Sequence, residues 1–411
     1  MEQIAAIVIG AGQAGLGMSH ELSARGVEHV VLESGRVANT WRTRRWKTFR
    51  LVSPNWLNRV PGFWYDGPDP HGFFSTAEMI DYLERYAATF DAPVRSGATV
   101  TTVTRAGRSF VVKTTGGDLA ADSVIVATGA FGRAFVPPVA AALPGGVRSI
   151  HTDQYWAPED LPPGAVVVVG AGQSGLQIAD ELARAGRTVW VAVGRHGWVP
   201  RRLWGRDQNQ WRLENGDYAS VVANPDQPLA DYPFTPLSRW GVEDFNLLTI
   251  SRSGVRLTGR LESTSEGRLC FAPNLRELLL AGDEFASKFI WRIFEFARSR
   301  GEQVPEPVLA NAWTPGTLPV ETDGLDLARE RISTVIWATG YRQDFSWIQV
   351  PGALSPGGAP YQRKGASPVD GLFFVGLHRG WHAGDGTVLG ASWLPEHLGE
   401  VIARSRAEGK D

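Results

Sequence analysis

Two hexapeptides carry the residue types that let a backbone close on a pyrophosphate. They are Gly-Ala-Gly-Gln-Ala-Gly at residues 10–15 and Gly-Ala-Gly-Gln-Ser-Gly at residues 170–175. In each, the first glycine (Gly10, Gly170) permits a tight turn, and the second (Gly12, Gly172) lets N–H groups reach a phosphate. The third (Gly15, Gly175) lets a helix pack on its strand, with its positive N-terminus at the anion. Gln13 and Ala14, and their counterparts Gln173 and Ser174, lie within the loops and are candidate cofactor contacts, the helices being expected from Leu16 and Leu176. The copies stay in register beyond the loop, Gly26 answering Gly186 and Glu21-Leu22 answering Glu181-Leu182, all at an offset of 160. A repeat of this kind is a duplicated supersecondary unit. It predicts two dinucleotides side by side, as electron transfer from a nicotinamide to a flavin requires.

The strands that follow make the two sites unequal. The first ends Val31-Leu32-Glu33, with Ser34 beyond. A carboxylate there accepts hydrogen bonds from a ribose diol and repels a 2′-phosphate, which suits the adenosine of FAD. The second ends without an acid and runs into Arg195, whose guanidinium suits the 2′-phosphate of NADPH. A solvated strand-end arginine is the plainer alternative.

The elements that must position these loops read directly from the pattern. Apolar runs at residues 4–9 and 165–169 are buried parallel strands, each followed by loop, helix and a second strand. Two further strands end in Ala-Thr-Gly, at Ala127-Thr128-Gly129 and Ala338-Thr339-Gly340. A last strand at 372–375 leads through the loop Gly380-Trp381-His382-Ala383-Gly384-Asp385-Gly386 into a helix near 395–404. The expected fold is α/β, with two Rossmann-like dinucleotide-binding domains, the NADPH domain inserted into the FAD domain. Residues 1–157 and 346–411 are assigned to the FAD domain and 158–345 to the NADPH domain. Within the latter, an insert at 204–300 is expected to contribute to a substrate chamber. A strand is expected at 254–261, a helix at 283–300 and a Pro-rich loop at 232–238.

Composition narrows the function. The 411 residues suit two domains, and a formal charge of −2 gives no general attraction to nucleic acid or anionic membrane. Cys270 is the single cysteine, so no Cys-x-x-Cys pair can relay electrons to a disulfide. It reads as a small core residue on a strand. No apolar run reaches the ~20 residues that span a bilayer, and the first strand begins too early to leave room for a signal peptide. A cytoplasmic protein without stable membrane insertion is expected, as a monomer or homodimer. Of the 16 tryptophans, Trp198, Trp204, Trp211, Trp240 and Trp291 are interleaved with Arg201, Arg202, Arg206, Arg212 and Arg292. Packing of Arg on Trp ranks first for them, an aromatic substrate chamber second and a membrane-facing surface third.

At these motifs the chain resembles the class B flavoprotein monooxygenases, over most of its length except about 204–300. Asn39-Thr40-Trp41-Arg42 resembles the segment that lies along the flavin. Ser53-Pro54-Asn55-Trp56 resembles a stretch that places an Asn near the reactive flavin edge, which makes Asn55 the catalytic candidate, against a loop-capping role. Ala338-Thr339-Gly340-Tyr341, followed by Trp347, matches the family's second Ala-Thr-Gly-Tyr. The family's linker fingerprint, Phe-x-Gly-x-x-x-His, is kept only in its second half: His151 and Tyr155 are present, but Gly145 and Val147 replace the Phe and Gly. His151 is read as a structural linker residue. The resemblance implies FAD and NADPH as cofactors. NADPH would reduce the flavin, O2 would add as a C4a-peroxide, and one oxygen atom would pass to a small organic substrate. Oxygenation of nitrogen or sulfur is favoured over Baeyer–Villiger chemistry. The alternatives are an NADPH-dependent flavin reductase or oxidase without oxygen transfer, and a non-catalytic NADPH-sensing regulatory protein.

Overall fold

A computed structural model describes residues 1–220, 237, 239–378 and 381–408 of the chain. The Pro-rich stretch expected at 232–238, Leu237 apart, and Gly380 of the late loop lie outside the described residues.

The first glycine loop sits where the strongest burial pattern of the N-terminal unit ends. Strand β1 (Glu2–Ile9) is buried from Ile4 onward, because it lies at the centre of a sheet covered on both faces. Helix α1 (Gln13–Ala24) follows the loop, and β2 (His29–Glu33) returns parallel to β1, with Ile9 opposite Leu32. Beyond β2 the sheet ends at β3 (Val94–Ser96), also parallel. On the other side of β1 lies β6 (Gly117–Val126). Its N-terminal half pairs antiparallel with β5 (Ser109–Thr114), which pairs with β4 (Val100–Ala106). Two late strands complete the same sheet. They are β15 (Ile348–Gln349), parallel to β4, and β16 (Leu372–Phe374), parallel to the C-terminal half of β6.

The second sheet is wholly parallel and carries the second loop. Its order is β7 (Arg148–His151), β14 (Ile332–Trp337), β8 (Ala165–Val169), β9 (Val189–Ala192), β10 (Arg256–Thr258). Helix α3 (Gln173–Arg184) follows β8 as α1 follows β1. Both glycine helices begin three residues before the sequence pattern suggests, because the loop's last glycine is itself helical. The strand β7 pairs in this sheet, so the chain has entered the second unit before residue 148. That is earlier than the crossing expected at 157/158, since β7 must lie beside β14 to extend the sheet.

Where the chain passes between the units, the two linkers pair with each other. Tyr341 stands opposite Ala134 and Arg342 opposite Arg133, antiparallel.

The stretch at 204–300 is not a separate insert. Its strand β10 is the edge of the second sheet, and the expected strand at 254–261 resolves into β10 and part of β11 (Leu261–Ser265). The latter forms a small antiparallel sheet with β12 (Arg268–Phe271) and β13 (Gly324–Asp326). Cys270 is on β12, half-buried rather than in the core. Helix α4 (Gln208–Glu214) starts at a cap in which Asp207 accepts from the Asn209 N–H. The helix expected at 283–300 is longer, α5 (Leu275–Ser299), since the buried apolar residues Leu275 and Leu279, at helical spacing, extend its buried side backward. The tryptophans of this stretch pack as expected. Trp198 and Trp211 are buried, Trp198 Nε1 donates to Asp283 Oδ1 at 3.0 Å, and the Arg206 guanidinium lies 4.2 Å over Trp211. Trp291 stays partly exposed. The chain closes with α6 (Trp393–Glu408), packed against α1.

Candidate cofactor sites

Each glycine loop is walled by one of the Ala-Thr-Gly segments. The Ala127 N–H donates to Ile9 O at 2.9 Å, and the Ala338 N–H to Val169 O at 2.8 Å. A Cβ on Gly10 would lie 2.7 Å from Ala127 O, and one on Gly170 2.5 Å from Ala338 O. A Cβ on Gly15 would lie 1.8 Å from Gly10 O, and one on Gly175 2.2 Å from Gly170 O. These four glycines are fixed by the protein's own backbone. Gly12 and Gly172 are different. Each has an extended backbone that any residue adopts, and a Cβ there would meet nothing within 4 Å. Their smallness is therefore explained only by something outside the chain that comes close.

At the first loop that space is a cavity of about 360 Å³. Gly10, Gly12, Gln13 and Ala14 line it at the loop, Glu33 and Ser34 at the tip of β2. Thr40 and Trp41 of the short helix α2 (Asn39–Thr43) face it, as do Ala127, Thr128 and Gly129. Gly15 lies behind the loop. Glu33 is buried and firmly held: Oε2 accepts from the Ala11 N–H at 2.9 Å, and Oε1 from the Gly35 N–H at 2.9 Å and the Ser34 hydroxyl at 3.0 Å. Trp41 Nε1 donates to Gln13 Oε1 at 3.3 Å, which ties α2 to the glycine helix.

Two arginines that no motif marks stand at the end of this cavity nearest the second unit. Arg44 donates to the Phe131 and Gly132 carbonyls. Arg45 lies between the rings of Trp41, Phe49 and Phe131, at 5.0, 5.1 and 4.6 Å. Desolvation is the main cause that pushes the Arg45 pKa down to about 10. Phe131 meets Tyr341 edge-on at 5.2 Å, so the Ala-Thr-Gly-Tyr segment of the second unit abuts the first unit's cavity. Burial raises the Tyr341 pKa. His151, 1 % exposed, holds that junction: Nε2 donates to Gly340 O at 2.9 Å and the ring packs on Tyr341. The Thr339 hydroxyl donates to Phe135 O in the facing linker.

The second loop has the same backbone geometry, with Gly172 open to solvent and Gln173 and Ser174 opening α3. Arg195 is exposed just past the end of β9. The late loop links the two units: Gly376 and Gly386 line the first cavity, while the Ala383 and Gly384 N–H groups donate to Ser220 O and Tyr218 O, both at 2.9 Å. Inside it Asp385, 2 % exposed, accepts from the Trp381 and His382 N–H groups, and burial lifts its pKa to about 6.

Asn55 does not line the cavity. Its Nδ2 donates to Asp69 O at 2.9 Å, and its Oδ1 is buried without a hydrogen-bond partner. That contact is the loop-capping role, read from the sequence as the alternative.

The family model described as pyridine nucleotide-disulphide oxidoreductase matches residues 7–214, which hold both glycine loops. The chain belongs to this family. Among relatives, an uncharacterized CzcO-like oxidoreductase of Geobacillus kaustophilus is 29% identical over 402 residues, covering 95% of this chain and 96% of that one. Indole-3-pyruvate monooxygenase YUCCA1 of Oryza sativa subsp. japonica is 32% identical over 49% of this chain and 50% of its own length. In fold, the chain is similar to a flavin-containing monooxygenase of Stenotrophomonas maltophilia, with TM-score 0.66 and 18% identity over 98% of this chain and 99% of that one. It is also similar to the bacillithiol disulfide reductase of Staphylococcus aureus, with TM-score 0.63 and 15% identity over 100% of both chains. The resemblance to class B flavoprotein monooxygenases read from the motifs is borne out, as are the α/β two-Rossmann fold and the oxidoreductase assignment. Among the described residues no helix is long and apolar enough to cross a membrane, and no group of three or more His, Cys, Asp or Glu is placed to hold a metal ion.

Proposed function

We propose that the chain is an NADPH- and FAD-dependent monooxygenase of a small apolar or aromatic molecule, acting on a nitrogen or sulfur atom rather than converting a ketone to an ester. The observation that carries the reading is the pairing of two loops in which only Gly12 and Gly172 are left open. One faces a cavity that ends in an anchored carboxylate, and the other is followed by an exposed arginine.

The cavity fits FAD. Gly12 leaves room for the pyrophosphate beside the N-terminus of α1, and Glu33, fixed by three donors, keeps lone pairs for a ribose diol. When bound, FAD would supply the redox chemistry that couples NADPH to O2, one oxygen atom going to the substrate and the other leaving as water. The chain's own residues supply the setting. Thr40, Trp41 and Gly129 would hold the flavin end of the cofactor. Gly172, Gln173 and Ser174 would hold the NADPH pyrophosphate, with Arg195 at its 2′-phosphate. Tyr341 and the Ala-Thr-Gly wall bring that second site against the first. The late loop, tied by its backbone to residues 218 and 220, excludes water from the junction. Asn55 keeps a place in the proposal only through its unpartnered Oδ1.

A disulfide reductase reading draws on the similar fold but has no dithiol to support it. Cys270 is the single cysteine, and it does not line the cavity. The replaced linker residues Gly145 and Val147 depart from the family fingerprint, and that departure is the ground for not reading the chain as a Baeyer–Villiger enzyme. The test is NADPH consumption screened against amines, sulfides, ketones and aromatic compounds, with oxygenated product and hydrogen peroxide both quantified. Product matching NADPH for an amine or sulfide supports the proposal. Peroxide matching NADPH for every compound points to an oxidase, and product from ketones alone reverses the preference.

A further inference from the structure

Arg45 is a half-buried, largely desolvated cation that lacks an anion among the described residues. Its Nη1 donates to Arg44 O at 3.0 Å, and its Nε is buried with no hydrogen-bond partner. Among the described residues no carboxylate forms an ion pair with it, and the neighbours that perturb its charge are Tyr341 and another cation, Arg44. The three surrounding rings supply cation–π attraction, which offsets only part of the desolvation penalty. A charge held at such cost at a cavity wall is complementary to a negative charge brought by the cavity's occupant.

Its place selects which charge. The adenosine end of the cavity is fixed by Glu33, and the phosphates belong to the loop at Gly12. Arg45 stands at the other limit, beside Phe131, which touches Tyr341 of the second unit. Two neighbouring side chains, Trp46 and Phe49, pack with the second unit's core. With FAD and NADPH bound as proposed, electrons would enter the flavin at this junction, and hydride transfer from NADPH would leave NADP+ and a reduced flavin bearing one added negative charge, with no proton taken up.

We infer that Arg45 is a positioning residue that tunes the flavin, its guanidinium favouring the negative charge that reduction places on the ring system and so raising the flavin's reduction potential. The inference rests on the proposal that this cavity holds FAD, but not on oxygen transfer.

The experiment measures the midpoint potential of FAD bound to the full-length protein, by equilibration with a reference dye, in wild type, Arg45→Gln, Arg45→Met and Arg45→Lys. Both neutral variants should make reduction at least about tenfold less favourable, a shift of ~30 mV for a two-electron couple. Arg45→Lys should stay within about threefold of wild type. Neutral variants that retain FAD at the wild-type potential overturn the inference. That includes the case in which they instead raise KM for substrates bearing a carboxylate, which would assign Arg45 to the substrate. If both neutral variants lose FAD while Arg45→Lys retains it, the charge is still assigned to the flavin. If all three lose FAD and their apoproteins melt lower alike, Arg45 is a packing strut and the inference fails. Wild-type protein unable to bind FAD would defeat the functional proposal itself. Shifted potentials without oxygen transfer would leave the inference standing and defeat only the oxygenation reading.

Discussion

The Ala11 N–H donates to Glu33 Oε2 at 2.9 Å, so the first glycine loop and the carboxylate at the tip of β2 form one rigid piece. The same oxygens that would meet a ribose are oriented by the turn that would meet the phosphates. Recognition of the two ends of an adenosine diphosphate is therefore coupled in this chain.

That coupling makes Glu33→Gln a severe change for so small an alteration. An amide NH2 must face a backbone N–H on one side or the other, leaving a buried donor unsatisfied at a cost of about 1–3 kcal/mol. FAD affinity, measured by flavin fluorescence on reconstituting apoprotein, should fall by about 5- to 150-fold. An unchanged affinity would remove Glu33 from the site.

The glycines separate folding from binding. Gly15→Ala forces a Cβ to 1.8 Å from Gly10 O, and should destabilise the apoprotein by at least about 3 kcal/mol. Gly12→Ala meets no protein atom within 4 Å and should leave apoprotein melting within about 1 kcal/mol of wild type, while FAD binding is lost. Gly172→Ala should keep the FAD and raise KM for NADPH. Thermal melts and flavin content of the three purified variants check all these outcomes together.

Arg195 is expected to discriminate between the nicotinamides. Arg195→Ala should cut the kcat/KM preference for NADPH over NADH by about tenfold or more, equivalent to one charge-assisted contact of 1.5–3 kcal/mol. A preference that survives the substitution places the 2′-phosphate elsewhere.

Asp385 gives a pH signature in the late loop. Burial raises its folded-state pKa from the usual 3.8 to about 6, so the folded state favours the protonated acid. Below pH ~4 both states are protonated and there is no penalty; as pH rises from ~4 to ~6, stability is lost, by up to about 3 kcal/mol. Asp385→Asn keeps an acceptor for the Trp381 and His382 N–H groups and should be more stable than wild type at pH 7, with little difference at pH 4. Chemical denaturation at the two pH values checks this, and an equal change at both would refute it.

Much of the frame was legible in the sequence because it is periodic or glycine-marked. The runs at 4–9 and 165–169 could only be buried strands, and the glycine spacing identified both turns and the unequal strand tips. Arg45 was not legible. It becomes notable only when Trp41, Phe49 and Phe131, distant in sequence from one another, close around it. The surroundings of Asn55 were hidden for the converse reason: a good local match says nothing of the Asp69 carbonyl that takes its amide. The 204–300 stretch looked like an insert because no glycine motif marks it, and the strand expected at 254–261 carries no sign in sequence that its first part, β10, pairs at the edge of the second sheet.

The central claim is that the two loops pass electrons from NADPH to FAD, and it is tested most directly by anaerobic mixing of the FAD-loaded protein with NADPH. The visible flavin absorbance should bleach in wild type, and bleach at least about tenfold more slowly in Gly172→Ala at the same NADPH concentration. A flavin that stays oxidised in wild type, or bleaches equally fast in Gly172→Ala, would contradict the account.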